Sequence, residues 1–199
     1  MKAVKIGNQE WMAEDLSVTS FRNGVPIPQA QSEEQWELAA KEKGPAWCYS
    51  DEALENRIVL YNWYAANHPY GLAPEGWHVP SDKEWKSLEI SLGMSQSEAD
   101  EGGYNWRGKD EGNKLKHVNG WASEYVDPTT NASRFSALPR GTRDYSGMIT
   151  GHDYEVYYWT STEKDGLKAW CRGLHRHSLG ILRTPVAKES GYCIRCVKD

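Results

Sequence analysis

The four cysteines are the residues of this chain whose type and spacing come closest to a chemical site: Cys48, Cys171, Cys193 and Cys196. Cys193 and Cys196 have the three-residue offset of a zinc-binding or redox-active pair. A structural zinc site needs two more ligands, and Cys171 with His175 would supply them at an unfamiliar spacing. A redox pair belongs at the start of a helix beside a parallel sheet, which the neighbouring residues do not predict. We therefore expect no metal and no redox chemistry here.

The residues around Cys193 and Cys196 favour a strand instead. Successive side chains of a strand point to opposite faces, so an offset of three separates the two thiols. We expect Cys196 to face the interior and Cys193 to face outward. If disulfides form in an oxidising compartment, the expected pairs are Cys171 with Cys193 and Cys48 with Cys196. Four cysteines in 199 residues do not by themselves indicate such a compartment.

Other candidate residues for chemistry are isolated. His78 precedes a Val-Pro pair and is expected to be a hydrogen-bonded structural histidine. Asp144, Asp153 and Asp165 could offer loop oxygens to calcium, but the Glu-Pro-Asn and Trp-Asn-Asp motifs of calcium-dependent sugar-binding lectins are missing. The sequence has no Ser-His-Asp signature, phosphate-binding loop or dinucleotide fingerprint. We predict no catalytic residues and no cofactor.

The most unusual stretch is residues 168–188 (KAWCRGLHRHSLGILRTPVAK). It holds five Lys or Arg, two His and no acid in a chain of formal net charge −5, so the remainder carries −10. Its mixture of Trp, Arg, His and Leu follows neither the strand period of 2 nor the helix period of 3.6. This pattern favours a contact surface over a packed strand, with a solvated basic loop as the alternative. An acidic chain with one such patch is unlike a nucleic-acid-binding protein.

Eight side chains between residues 170 and 186 are the predicted ligand contacts. Trp and Arg dominate binding hot spots, and loops tolerate changes of contact residues. We expect these side chains to be exposed on a backbone that flanking strands hold. The five main contacts and three residues that add shape are, in that order, Trp170, Arg172, His175, Arg176 and His177, then Leu179, Leu182 and Thr184.

The whole chain, residues 1–199, has the length of a single domain. Within it, the ligand-binding segment is predicted at about residues 168–190. The 18 Gly and 9 Pro predict many loops, and 10 Trp and 11 Tyr against 2 Phe suit half-buried positions and binding surfaces. No apolar run is long enough to span a membrane, and the first residues have no apolar leader.

Two helices are predicted. Ser32 and Gln35 have the form of a capping box, which opens a helix to about Lys43 with Gly44 as its stop. A second box, Ser81 with Glu84, opens a helix over residues 82–92. A hairpin over residues 4–12, a helical turn at 60–66 and strands at 46–49, 135–139 and 154–160 complete the pattern, with further strands towards residue 199. Helices and strands in separate runs predict an α+β fold.

Six blocks of the sequence together resemble the Fibrobacter succinogenes major paralogous domain, nearly end to end: residues 4–16 (VKIGNQEWMAEDL), 60–66 (LYNWYAA), 74–85 (PEGWHVPSDKEW), 135–141 (FSALPRG), 158–163 (YWTSTE) and 195–199 (RCVKD). That family is similar to the formylglycine-generating-enzyme branch of the C-type lectin fold. The resemblance implies two helices, small twisted antiparallel sheets, much loop and neighbouring termini.

A second resemblance concerns use rather than fold. The variable proteins of diversity-generating retroelements use this fold and carry a hypervariable segment where residues 159–191 lie here. Formylglycine-generating enzymes instead use a cysteine pair with copper, but the residues around Cys171, Cys193 and Cys196 do not match their motif. The resemblance therefore implies a non-enzymatic protein that binds a protein or glycan on another cell or particle, without membrane insertion. A cell-surface, secreted or virion-associated location would follow. A structural domain and an oxidase are the alternatives.

Overall fold

The two longest helices begin where their capping residues predict. The computed structural model describes residues 2–50, 58–121 and 129–199. In α3 the Ser81 and Glu84 side chains each accept a hydrogen bond from the other's backbone N–H, which completes the predicted capping box. In α1 the Ser32 hydroxyl accepts from the Gln35 N–H, but the Gln35 side chain accepts from Gln31 instead, so that box is only half formed. The described residues contain three shorter helices besides the two predicted ones, and the five are α1 Glu33–Glu42, α2 Trp63–Ala66, α3 Asp82–Ser91, α4 Gln96–Asp100 and α5 Glu111–Leu115.

The strands form several small antiparallel sheets, so the described residues have a mixed α+β fold without a closed barrel. Two sheets have four strands, in the orders β1-β2-β12-β5 and β6-β11-β10-β9, and two are pairs, β3-β4 and β7-β8. The strands are β1 Ala3–Ile6, β2 Gln9–Met12, β3 Trp47–Tyr49, β4 Val59–Tyr61, β5 Trp77–His78, β6 Trp106–Arg107, β7 Thr142–Arg143, β8 Ile149–Thr150, β9 Glu155–Glu163, β10 Lys168–His175, β11 Ile181–Ala187 and β12 Val197–Lys198.

The first and last strands of the chain lie in one sheet. Val197 of β12 pairs with Trp11 of β2 on one side and with His78 of β5 on the other. The N–H of Ala13 also donates to the carbonyl of Lys2, which extends the β1–β2 pairing beyond Ala3 and Met12. The two ends of the described chain are therefore neighbours, as the family resemblance implied.

Residues 168–188 form the hairpin β10–β11 at the centre of the second sheet, so the prediction of a surface segment without strand packing is wrong. β10 pairs with β9 on one side and with β11 on the other. Leu174 packs into the hydrophobic cluster that contains Trp85 of α3. Ala169 and Cys171, on the opposite face, pack into a second cluster with Trp63 of α2. The irregular sequence reflects a strand that is buried on both faces.

Residues 135–139 do not form the predicted strand. Ala137 makes one isolated bridge, to Lys116, and no ladder extends from it. Ser136 has a positive φ of 60°, which interrupts the extended backbone that a strand needs.

All four cysteines are buried free thiols, which corrects the prediction that Cys193 faces outward. Cys193 lies in the cluster with Trp85, and Cys196 lies in the cluster with Trp63. The two thiols do point to opposite sides, but each side is covered. Parallel pairing of Cys193 with Tyr158 of β9 places this segment inside the protein.

Candidate functional site

Three of the eight predicted ligand contacts are buried and cannot reach a ligand. Arg172, Leu182 and Thr184 keep 0%, 6% and 2% of their surface exposed. They lie on the two inner strands of a four-stranded sheet whose faces are covered, which explains the failed expectation of exposure. The Thr184 hydroxyl is buried without a hydrogen-bond partner among the described residues.

Arg172 belongs to a buried ionic network between the hairpin and α3. Its guanidinium donates to the carboxylates of Glu89 and Asp82, and its side chain is fully buried. Arg183 donates to both oxygens of Asp82, at 2.8 Å each, and Arg107 pairs with Glu89 at 3.0 Å. Burial alone would raise the pKa of Asp82, but hydrogen bonds from Arg183 and the charge of Arg172 outweigh it and lower the pKa to about 2.

The basic character of residues 168–188 is thus mostly internal. Lys188 is also buried, where its ammonium donates to Glu163 and lies 4.6 Å from the ring centroid of Trp63. Three of the five Lys and Arg side chains of the segment are therefore buried and ion-paired: Arg172 and Arg183 with buried carboxylates, and Lys188 with the exposed Glu163. Lys168 is exposed and Arg176 partly so. The segment carries a formal charge of +5 and the rest of the chain −10 because basic side chains of the segment pair with acidic side chains from other parts of the chain.

Trp170 is half-buried at one side of the sheet, apart from the other predicted contacts. The guanidinium carbon of Arg183 lies 3.8 Å from its ring centroid, and the ammonium of Lys164 lies at 5.4 Å. Gly102 approaches the edge of the same ring so closely that a Cβ there would lie 3.0 Å from it. Trp170 therefore covers the end of the buried ionic network.

Residues 175–177 come together with two aromatic residues, Trp106 of β6 and Tyr154, which directly precedes β9. The rings of Trp106 and Tyr154 lie 6.0 Å and 5.4 Å from the ring of His175, and the ring of His177 lies 5.3 Å from it. The Arg176 guanidinium carbon stands 5.6 Å from the Tyr154 ring centroid, and its Nε donates to Nε2 of His177 at 3.2 Å. We call these five residues the tip cluster, because they surround the β10–β11 turn.

The backbone beneath the tip cluster is fixed from inside. The buried ammonium of Lys116 donates to the carbonyls of His175 and Ser178 and to Oδ1 of Asn113. Three acceptors match the three protons of an ammonium group, so the turn is held without a carboxylate. The N–H of Arg176 also donates to the carbonyl of Tyr154 at 2.8 Å, which continues the β9–β10 ladder.

Close backbone contacts fix the other side of the turn. A Cβ on Gly180 would meet the carbonyl oxygen of Arg107 at 2.3 Å, and a Cβ on Gly112 would meet the Gly180 oxygen at 2.2 Å. Only glycine allows this approach between the turn, β6 and α5. The carbonyl of Leu179, another predicted contact, accepts from the N–H of Asn113 at 3.2 Å, and its side chain is half-buried.

His175 lies among positively charged groups. Burial lowers the pKa of His175, and the nearby charges of His177, Lys116 and Arg176 lower it further. Burial also lowers the pKa of Lys116, to about 8. Sequence reasoning identified the three consecutive residues but missed Trp106 and Tyr154, because only the pairing of β6 with β11 and of the turn with Tyr154 brings them together.

His78 is the hydrogen-bonded histidine that its position predicted. Its Nδ1 and Nε2 lie 2.7 Å from the carboxylates of Asp199 and Glu84, respectively. Burial opposes protonation, but the hydrogen bonds and charges of the two carboxylates outweigh it and raise the pKa of His78. This contact ties the β12 end of the chain to the start of α3.

Two of the three aspartates considered for calcium stabilise turns. The Asp144 carboxylate accepts from the N–H groups of Ser146 and Met148, and that of Asp165 accepts from Leu167 and Lys168. Asp153 is exposed. No group of three or more His, Cys, Asp or Glu among the described residues is placed to hold a metal ion, and no helix in that part of the chain is long and apolar enough to cross a membrane.

A groove of about 640 Å³ lies at the opposite end of the hairpin from the tip cluster. Tyr145 and Leu167 form its apolar walls, and Glu37 and Lys41 of α1 contribute charges of both signs. It contains none of the eight predicted contacts.

Comparison with protein families finds one match that covers almost the whole chain. The model of the Fibrobacter succinogenes major domain matches residues 4–198. No curated protein and no solved structure matches this chain significantly.

Proposed function

The chain belongs to the Fibrobacter succinogenes major domain family, and from that premise we propose that it is a non-enzymatic ligand-binding domain whose contact surface is the tip cluster. The observation that carries this proposal is the combination of partly exposed Trp106, Tyr154 and His175 rings with a backbone turn that buried Lys116 holds in place. A rigid frame lowers the entropy cost of binding, because few groups must become ordered when the ligand arrives.

The fold assignment behind this proposal is the formylglycine-generating-enzyme type of C-type-lectin-like fold. Support comes from two ten-residue helices, small antiparallel sheets and neighbouring chain ends. Within that fold the domain would display its C-terminal hairpin towards a protein or glycan on another cell or particle. We accordingly place it at the cell surface, in secreted form or on a virion.

Diversification by a retroelement is the finer part of the proposal. It requires contact positions that can change without disturbing the core. His175, Arg176 and His177 meet this requirement, whereas Arg172, Leu182 and Thr184 do not, because they are buried. Substitutions among sibling sequences should therefore concentrate at residues 175–177 and at Trp106 and Tyr154. Uniform substitution along β10 and β11 would contradict a diversified tip.

An oxidase of the formylglycine-generating type is the competing function. Such an enzyme needs a reactive thiolate pair, and here burial raises the pKa of Cys171 to about 12 and that of Cys193 well above its ordinary range. Thiolates are the reactive form, so these cysteines favour a structural role. A copper titration with a thiol-peptide oxidation assay tests this alternative, and copper-dependent turnover would overturn the non-enzymatic assignment.

The binding proposal is tested with the triple variant His175→Ala, Arg176→Ala and His177→Ala. The immobilised wild-type protein and the variant are probed with a mixed glycan and protein array and with whole cells. We expect the variant to lose the ligands that the wild type retains, while its melting temperature stays within a few degrees, as for other surface changes. An unchanged binding profile, or a wild type that retains no ligand, would overturn the proposal.

A further inference from the structure

We propose that the tip cluster binds a carboxylate-bearing carbohydrate; this inference rests on the proposed binding function and narrows its ligand to one chemical class. Three properties of the cluster lead to it: the arrangement of its rings, the kind of polar atoms that it presents and its charge.

The aromatic rings extend across the end of the four-stranded sheet. Trp106 belongs to β6 at one edge, Tyr154 directly precedes β9 at the other edge, and His175 ends β10 between them. Trp106 and Tyr154 keep 39% and 36% of their surface exposed. Such rings combine a flat apolar face with a polar edge. A chain of sugar rings presents the matching surface, because each ring has apolar C–H faces and a polar rim.

The polar atoms that the cluster presents are predominantly donors. Among the described residues, neither Nε1 of Trp106 nor the two Nη atoms of Arg176 donate a hydrogen bond, whereas Nε of Arg176 donates to His177. An indole N–H and a guanidinium can only donate. The ligand must therefore be rich in acceptors, and the two Nη groups of an arginine suit a carboxylate in particular.

The charge of the cluster selects the same ligand. Arg176 and the buried Lys116 are cationic, whereas the acids Asp153 and Glu155 flank Tyr154 in the sequence. The Glu155 carboxylate lies beside the Thr142 hydroxyl, with Oε1 3.5 Å from Oγ1, and is not paired with Arg176. A neutral sugar would leave Arg176 without a counter-ion, and an acidic peptide would leave the flat ring faces unfilled. A sugar acid satisfies both features.

The experiment measures the affinity of the purified full chain for four polymers: polygalacturonate, its fully methyl-esterified form, polyglutamate and neutral dextran. We expect polygalacturonate to bind at least tenfold more tightly than the other three polymers. Added salt should weaken the binding of polygalacturonate, because it screens the contact between the carboxylate and Arg176. Trp106→Ala and Arg176→Gln should each reduce this affinity at least tenfold. Arg176→Lys, which keeps the charge but loses the paired donors, should reduce it less than Arg176→Gln.

Tyr145→Ala provides the matched control, because Tyr145 is an aromatic residue with 68% exposure in the groove at the opposite end of the hairpin. The affinity of the Tyr145→Ala variant for polygalacturonate should equal that of the wild type. Equal binding of polyglutamate would show that charge alone is recognised, and equal binding of the methyl ester would exclude a carboxylate contact; each result overturns the inference. No binding of polygalacturonate also overturns it. The broader function would survive these results if the triple variant described above still loses an array ligand.

Discussion

Arg172 of β10 and Glu89 of α3 form an ion pair in which neither side chain is exposed to solvent. The two residues are 83 positions apart, and Asp82, Arg107 and Arg183 complete the network around them. A buried ion pair is weak evidence for stability, because two charges must be desolvated to form it. It does fix the position of the hairpin relative to α3, because a shift of the hairpin would leave a buried charge without its partner.

The first prediction is that Arg172→Met destabilises the fold by about 3–5 kcal/mol, because it leaves Glu89 and Asp82 with fewer cations in the interior. Urea unfolding measures the change. Arg176→Met is the matched control, four residues along the same hairpin, and should change stability by less than about 0.5 kcal/mol. Equal effects of the two substitutions would contradict the division of this hairpin into a buried network and an exposed tip.

The second prediction concerns acid. The pKa of Asp82 in the folded protein is about 2, below its ordinary 3.8, so the unfolded chain binds the proton more tightly. The contribution of Asp82 to stability is therefore complete above about pH 4 and is lost as the pH falls towards about 2. The difference in unfolding free energy between the wild type and Asp82→Asn should shrink over this window, by at most about 1.4 kcal/mol per pH unit. A difference that stays constant would show that Asp82 is not ion-paired.

The third prediction concerns the support of the tip cluster. Burial lowers the pKa of Lys116 to about 8 from 10.5, so between these values the unfolded chain binds more protons than the folded one. Stability from this group therefore rises with pH, by at most about 1.4 kcal/mol per unit. The unfolding free energy of the wild type relative to Lys116→Met should increase from about pH 8 to pH 10. Both proteins contain the same cysteines and tyrosines, so comparing them removes the effect of those titrations. A difference in unfolding free energy that does not change with pH would show that Lys116 is exposed to solvent.

The fourth prediction is that no cysteine of the native protein reacts rapidly with a thiol reagent at neutral pH. Burial raises the pKa of all four thiols, to about 12 for Cys171 and Cys196, so little thiolate is present. Four thiols should react once the chain is unfolded in denaturant. The same shifts mean that stability is complete below the ordinary pKa of about 9 and falls as the pH rises above it. A thiol that reacts at once in the native state would contradict this arrangement.

The fifth prediction compares two tryptophans. Trp85 is 1% exposed and packs against Trp11 at 4.9 Å between ring centroids, so Trp85→Ala should cost about 3–5 kcal/mol. Trp106→Ala removes an equally large side chain from the tip cluster, where much of it is exposed, and should cost clearly less. Thermal and urea unfolding measure both. A similar loss for the two variants would mean that Trp106 is a core residue rather than part of a contact surface.

The local features of this protein follow from its sequence. Ser81 and Glu84 determine where α3 begins, because a capping box is completed within four residues of chain. The spacing of Trp85, Leu88 and Leu92 predicts one buried side of α3; Trp85 and Leu88 are buried, and Leu92 is partly buried. The α+β class and the family likewise depend on patterns that are readable along the chain. The three consecutive residues 175–177 of the candidate site were recognised in the same way.

The tertiary structure alone decided which charged and aromatic side chains are available to a ligand. Arg172 and Arg176 are the same residue type on one hairpin, but α3 places Glu89 and Asp82 against the first, whereas the second lies at the open end of the sheet beside Tyr154. Cys193 and Cys196 pack into two different hydrophobic clusters, and distant segments cover both. The period of a strand specifies alternation only, and what packs on each face depends on residues far away in the sequence.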